Sequence, residues 1–193
     1  MSSQLPAAEV ARLVGLLRAG GVVACPTETF VGLLADARNP AAVAEVVRLK
    51  GRSADQPIGL VLPDVAALDG VALDVPARAR ELAMQHWPGP LSLVLRARPE
   101  LLDELKREGT VSVRVPGPSP ALELVRAFGA PLTATSANRS GEPPARNAAE
   151  VRAVFGDALA AIVEGESPGG LPSTIIDATG LELRVLRVGP IRL

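Results

Sequence analysis

The chain has 193 residues, 48% of them hydrophobic and 2% aromatic, with a formal net charge of -1, one cysteine and one histidine. That length suits one well-buried domain with a core of Val, Leu, Ile and Ala. The balance of charge excludes the globally basic character of a dedicated nucleic-acid binder. The scarcity of His and Cys argues against an internal disulfide, metal-bound hydrolysis and a serine–histidine nucleophile.

No apolar run is long enough to cross a bilayer. The first residues, Met1-Ser2-Ser3-Gln4, lack the basic region and apolar block of a secretory signal. The expectation is a soluble, cytoplasmic protein with no membrane partner.

Residues 7–19 read as a helix, because Val10, Leu13, Val14 and Leu17 fall on one face and Gly20-Gly21 ends the pattern. Residues 22–25 follow as a short buried strand closed by Pro26. Asn39 and Pro40 form an N-cap and first helical residue. Val43, Val46 and Val47 mark the inward face of that helix, Lys50 shares the face, and Gly51 stops it. Residues 58–62 predict a strand and residues 77–85 a helix. Trp87-Pro88-Gly89-Pro90 predicts a tight turn, and residues 91–95 another strand.

Val111, Val113 and Val115 alternate with Thr110, Ser112 and Arg114, the period of a strand with one apolar face. Residues 121–128 predict a helix broken by Gly129, and residues 132–135 a strand leading into a loop over 136–144. Asn147 caps a helix ending at Phe155. Short strands at 161–163, 174–176 and 183–186 follow, with a loop over 165–172. Alternation of strands and helices with short links predicts an α/β domain with a largely buried sheet.

Four polar clusters interrupt this apolar background: Pro26-Thr27-Glu28-Thr29, Lys50-Gly51-Arg52, Ser136-Ala137-Asn138 and Ser173-Thr174. Hydroxyls, an amide and cations at the ends of elements suit a polyanion such as a nucleotide triphosphate. Lys50 and Arg52 read either as a clamp on phosphate oxygens or as cations offsetting a helix dipole. Lys50 points inward and so needs an anionic partner. Ser136 and Asn138 follow a strand, where α/β sheets collect ligands, or make an ordinary turn. Thr27, Glu28 and Thr29 carry the same two readings, with Glu28 as a possible cap on a backbone amide. Arg114, between valines, requires either a ligand or a structural carboxylate, and Arg187 stands in a similar setting. His86 has no assigned role, and Cys25 reads as a small core residue. No phosphate-binding glycine loop, dinucleotide fingerprint or paired-cysteine zinc motif occurs.

In order, Cys25-Pro-Thr-Glu-Thr29, Gly32-Leu33, Lys50-Gly-Arg52, Trp87-Pro-Gly-Pro90, Val113-Arg-Val-Pro116, Thr135-Ser-Ala-Asn-Arg-Ser-Gly141, Ser173-Thr174 with Asp177, and Leu186-Arg187 resemble the YrdC/TsaC family of threonylcarbamoyl-AMP synthases. The resemblance runs from about residue 8 to 190 and is to the short form, a single YrdC-like domain over 1–193. It implies an α/β fold with an open, twisted, mixed sheet flanked by helices. It also implies synthesis of threonylcarbamoyl-adenylate and pyrophosphate from L-threonine, bicarbonate and ATP, for the threonylcarbamoyladenosine modification of tRNA. Mg²⁺ would enter with ATP, held by its phosphates.

The resemblance assigns Lys50 and Arg52 to catalysis, in a polar quartet with Ser136 and Asn138. Arg52, Thr110, Ser136, Asn138 and Arg187 are assigned to ATP, and Thr29, Arg114 and Ser173 to threonine. The product would pass to downstream tRNA threonylcarbamoyl-transferase proteins. Many relatives carry Tyr at Val31 and Asn at Gln56. Some carry His at Val61, and hydroxyl residues at Ala134 and Pro144. The competing expectation is a non-catalytic module binding tRNA or double-stranded RNA through the same basic cleft. A carbamoyl-transfer domain of the hydrogenase-maturation kind is a third, less suited to a chain of this length.

Overall fold

The computed structural model describes residues 4–51, 57–180 and 182–192. Helix α1 (Ala7–Arg18) buries Leu13, Val14 and Leu17, the face set by their spacing. An antiparallel hairpin follows, β1 (Val23–Pro26) and β2 (Val31–Leu34), buried along both strands. Helix α2 (Pro40–Lys50) starts at Asn39, whose side-chain oxygen accepts from the amides of Ala41 and Ala42 at 3.0 and 3.3 Å. It stops at Gly51, at φ 60° and ψ 33°, a left-handed conformation that glycine adopts without a Cβ clash.

The chain continues through β3 (Gly59–Val61), α3 (Ala77–His86), β4 (Leu91–Arg96), β5 (Thr110–Arg114), α4 (Pro120–Phe128) and β6 (Leu132–Ser136). It ends with α5 (Ala148–Phe155), β7 (Ala161–Ile162), β8 (Thr174–Asp177) and β9 (Arg184–Arg187). Single 3₁₀ turns lie at Ala66–Gly70 and Asp103–Leu105.

The strands form one sheet in the order β7-β1-β2-β6-β3-β5-β4-β8-β9. The pairs β1/β7, β3/β5 and β4/β8 are parallel, and the remaining neighbours are antiparallel. The fold is therefore an open mixed α/β sheet flanked by helices, as the resemblance implies. Helix α4 packs against α1 and β1, α3 against β4, and α5 beside β7. The core is aliphatic: Leu33, Leu91, Leu93, Leu95, Leu124 and Val125 have no exposed surface.

Two local expectations change. The strand at 31–34 carries no sequence signal. All four of its residues are buried, which removes the alternation that marks a half-exposed strand, and Gly32 weakens its local propensity. Pro26 does not close β1 from outside. It is the last strand residue, opposite Val31. The alternation in β5 holds: Val111 and Val113 enter the core, while Thr110, Ser112 and Arg114 line a cleft on the other face.

Candidate active site

The end of α2 and the end of β6 meet. Lys50 is 1% exposed, as its place on the valine face predicts. Its Nζ donates to the Ser136 carbonyl at 2.7 Å and to Asn138 Oδ1 at 2.6 Å. Ser136 Oγ donates to the same Asn138 Oδ1 at 2.6 Å, and Asn138 Nδ2 donates to the Glu142 carbonyl at 2.5 Å. The Ser140 amide closes the arrangement by donating to the Lys50 carbonyl at 2.8 Å. A buried ammonium is tolerated only where such acceptors replace its water. The structure thus joins Lys50, Ser136 and Asn138. The fourth member of the expected quartet, Arg52, lies outside the described residues, as does Gln56.

A cleft of about 730 Å³ crosses the face of the sheet, floored by residues of β3, β5 and β6. Ser136 lines it, whereas Lys50 and Asn138 stand directly behind Ser136. Thr110, Thr29, Arg114, Ser173 and Arg187 line it as well. Val31, Val61, Ala134 and Pro144 also face this space.

Arg114 meets a carboxylate. Its Nη1 donates to Glu28 Oε1 at 2.5 Å, with the two side chains 12% and 13% exposed. Glu28 therefore does not cap a backbone amide; it is the acidic partner that a mid-strand arginine requires. Burial pushes the Arg114 guanidinium below the usual arginine range, and the Glu28 charge acts in the opposite direction. Arg187 Nε and Nη2 donate to the Ser173 carbonyl and Ser173 Oγ, both at 2.9 Å. Its affinity for the proton is lowered first by burial of the guanidinium and then by the Arg114 charge. Two cations facing one cleft, the charge of Arg114 bearing on Arg187, form a site that an anion stabilises.

Thr27 and Thr29 shape the hairpin turn at the cleft's edge. Thr27 Oγ1 donates to the Phe30 carbonyl at 2.7 Å, which leaves the Thr29 hydroxyl to donate to Thr27 Oγ1 at 3.1 Å. The loop over 165–172 is fastened to this turn. The Thr27 amide donates to Ser167 Oγ at 3.2 Å, and the Gly169 amide to the Thr29 carbonyl at 2.8 Å. Thr110 Oγ1 donates to the Arg107 carbonyl at 2.7 Å.

Sequence reasoning does not single out Ser92, Arg107 or Ser167. Ser92 Oγ lies 3.0 Å from Ser173 Oγ, and both Ser92 and Arg107 line the cleft. A serine in an apolar strand and a lone arginine in a turn carry no local pattern. His86 and Cys25 lie outside the cleft lining; burial raises the Cys25 thiol far above its ordinary range.

Comparison with known proteins bears directly on this arrangement. The Sua5/YciO/YrdC family model, described as "Telomere recombination", matches residues 15–189. The chain is 41% identical over 171 residues to a threonylcarbamoyl-AMP synthase of Thiobacillus denitrificans, an alignment covering 87% of this chain and 90% of that one. It is 37% identical over 187 residues to the threonylcarbamoyl-AMP synthase of Klebsiella pneumoniae, covering 95% and 98% of the two chains. The crystal structure of P. abyssi Sua5 complexed with L-threonine matches with a TM-score of 0.92 at 34% identity, over 98% of this chain and 56% of that one. The chain spans little more than half the length of that solved protein.

Proposed function

Because the chain belongs to the Sua5/YciO/YrdC family, we propose that it is an L-threonylcarbamoyladenylate synthase, a nucleotidyltransferase acting on L-threonine, bicarbonate and ATP. The observation that carries this reading is the shared cleft. Arg114 and Arg187 face one cavity of about 730 Å³ together with Ser136, and the Lys50 ammonium is bonded immediately behind that serine. The volume falls within the range of small-ligand sites.

The chemistry asks for alignment rather than a protein nucleophile. The threonine amine takes up CO₂ from bicarbonate and becomes a carbamate, one amine proton leaving with the bicarbonate hydroxide as water. A carbamate oxygen attacks the α-phosphorus of ATP, the bond to the bridging oxygen breaks, and pyrophosphate leaves. Holding the reactants in line and offsetting developing charge supplies the acceleration. Arg114, with Thr29 and Ser173, receives the amino-acid carboxylate. Thr110, Ser136 and Arg187 hold the nucleotide, together with Arg52; Asn138, assigned to ATP by the resemblance, does not line the cleft and acts through Ser136. Lys50 contributes from behind Ser136: in a poorly solvated site its charge is felt across several ångströms, and it fixes the Ser136–Asn138 pair against the phosphates.

Magnesium enters as part of the ATP substrate. Among the described residues no three His, Cys, Asp or Glu side chains gather into a metal-binding group, and a hard cation takes phosphate oxygens and water. The product is a reactive mixed anhydride, to be consumed by tRNA threonylcarbamoyl-transferase proteins. We assign this activity to the cytoplasm. A lone buried cysteine suits a reducing compartment, and no helix among the described residues is long and apolar enough to cross a membrane.

The test is pyrophosphate release measured with each substrate omitted in turn. The reading expects release to require ATP, L-threonine and bicarbonate together. Release that ignores threonine or bicarbonate would overturn it. RNA binding in the absence of any threonine or ATP binding would favour the non-catalytic alternative, which no feature of the cleft otherwise supports.

A further inference from the structure

Glu28 has no part in the reaction as described, yet its setting is costly. It stands in the turn between β1 and β2, and its Oε1 accepts from Arg114 Nη1. Its Oε2 is buried without a hydrogen-bond partner among the described residues. A carboxylate oxygen in that state is expensive, and native proteins keep such groups where they serve a purpose. The backbone also makes room for it. A Cβ built on Gly117 would lie 2.9 Å from Glu28 Cγ and 3.1 Å from Glu28 Cβ.

Arg114 shows what the carboxylate accomplishes. Glu28 engages one guanidinium nitrogen, while Arg114 lines the cleft and so faces the ligand space. A guanidinium recognises a carboxylate through a planar fork, and the plane of that fork decides whether two parallel bonds form. Arg187 shares the cleft, and the Arg114 charge lowers its affinity for the proton. Without Glu28, no carboxylate among the described residues would hold the Arg114 guanidinium.

We infer that Glu28 is a positioning residue, which fixes the plane of the Arg114 guanidinium so that its remaining N–H groups meet the carboxylate of the amino-acid substrate. Gly117 is part of the same device, because only a residue without a side chain leaves Glu28 its seat. This inference rests on the synthase reading above.

The test compares the wild-type chain with Glu28→Ala, Glu28→Gln and Gly117→Ala. Threonine affinity is measured by calorimetry, and half-saturating threonine and ATP by pyrophosphate release. Losing one well-placed hydrogen bond between charged groups weakens binding about 10- to 100-fold, so Glu28→Ala weakens threonine binding by that order while half-saturating ATP stays put. Glu28→Gln keeps an acceptor for Arg114 and loses roughly tenfold. Gly117→Ala retains both charges, displaces Glu28 and weakens threonine in the same direction. If Glu28→Ala fails to fold, the other two variants carry the test. Unchanged threonine affinity in folded Glu28→Gln and Gly117→Ala overturns the inference. So does tighter binding, which would make Glu28 a competitor for Arg114, and so does an equal loss for threonine and ATP. A wild-type chain that binds threonine but releases no pyrophosphate defeats the synthase reading alone. A wild-type chain that binds no threonine defeats both.

Discussion

Lys50 Nζ lies 2.6 Å from Asn138 Oδ1, a bond that joins the last turn of α2 to the loop beyond β6 across 88 positions of sequence. Asn138 Oδ1 also accepts from Ser136 Oγ, so one amide oxygen holds both a buried cation and the hydroxyl that faces the cleft. The order of the site therefore depends on a side chain that does not itself line it.

Replacing that cation tests the dependence. Lys50→Met keeps an unbranched side chain of similar length but removes the charged donor from the Ser136 carbonyl and from Asn138 Oδ1, which keep the Asn138 amide and the Ser136 hydroxyl. Each hydrogen bond to a charged group so lost costs about 1.5–3 kcal/mol. Urea denaturation should show a loss of that order, with the fold retained. Pyrophosphate release should fall at least about 100-fold, the usual loss when a charge-stabilising group is removed. Activity within twofold of wild type would show that the ammonium is only structural.

The Arg114–Glu28 pair predicts a strong asymmetry between single and double substitution. Arg114→Ala strands a largely buried carboxylate, and breaking such a pair costs about 3–5 kcal/mol. The double variant Arg114→Ala/Glu28→Ala removes the stranded charge and should recover part of that loss. A double-mutant cycle by chemical denaturation measures the coupling. Additive effects would mean that the two groups do not stabilise each other in solution.

Asp177 ties β8 to β9 next to the Arg187 strand and predicts a local acid sensitivity. The Thr179 hydroxyl is the largest cause of its lowered pKa, with the Thr179 amide and Arg184 contributing in the same direction. Because the folded-state value is depressed, the stabilisation is complete above the unfolded carboxylate range. It is lost as pH falls through the lower folded value. Asp177→Asn should therefore reduce stability at neutral pH by a small amount and make the acid limb of the stability profile shallower. A profile parallel to wild type below pH ~4 would contradict the assignment.

Ser167 predicts that the loop over 165–172 supports the threonine side of the cleft. Its side chain is fully buried and accepts from the Thr27 amide. Ser167→Ala leaves that buried amide without its partner, at a cost of about 1–3 kcal/mol. Half-saturating threonine should rise more than half-saturating ATP. Steady-state kinetics on both substrates decides this, and equal shifts would separate the loop from the amino-acid site.

What the sequence reveals is what local physics determines. Asn39, Pro40 and Gly51 bound α2 because caps act within one helical turn. The seven-residue step from Val43 turns Lys50 inward for the same reason. The valines of β5 announce the strand, and their alternation sets Thr110, Ser112 and Arg114 on the cleft face. The partners are another matter. Glu28 is 86 residues from Arg114, and Ser167 is 140 from Thr27. No periodicity records contacts that sheet order creates. The Lys50 ammonium is equally opaque, since one of its acceptors is a backbone carbonyl. β2 is hidden because burial on both faces leaves no pattern to read.

The most direct measurement of the central claim is transfer of label from ¹⁴C-bicarbonate into an adenylate, with each amino acid supplied in turn alongside ATP. The account predicts a labelled, AMP-containing product with L-threonine, and its loss in Lys50→Met and Arg114→Ala. Label incorporated without threonine, or none incorporated by a folded wild-type chain with all three substrates present, would contradict it.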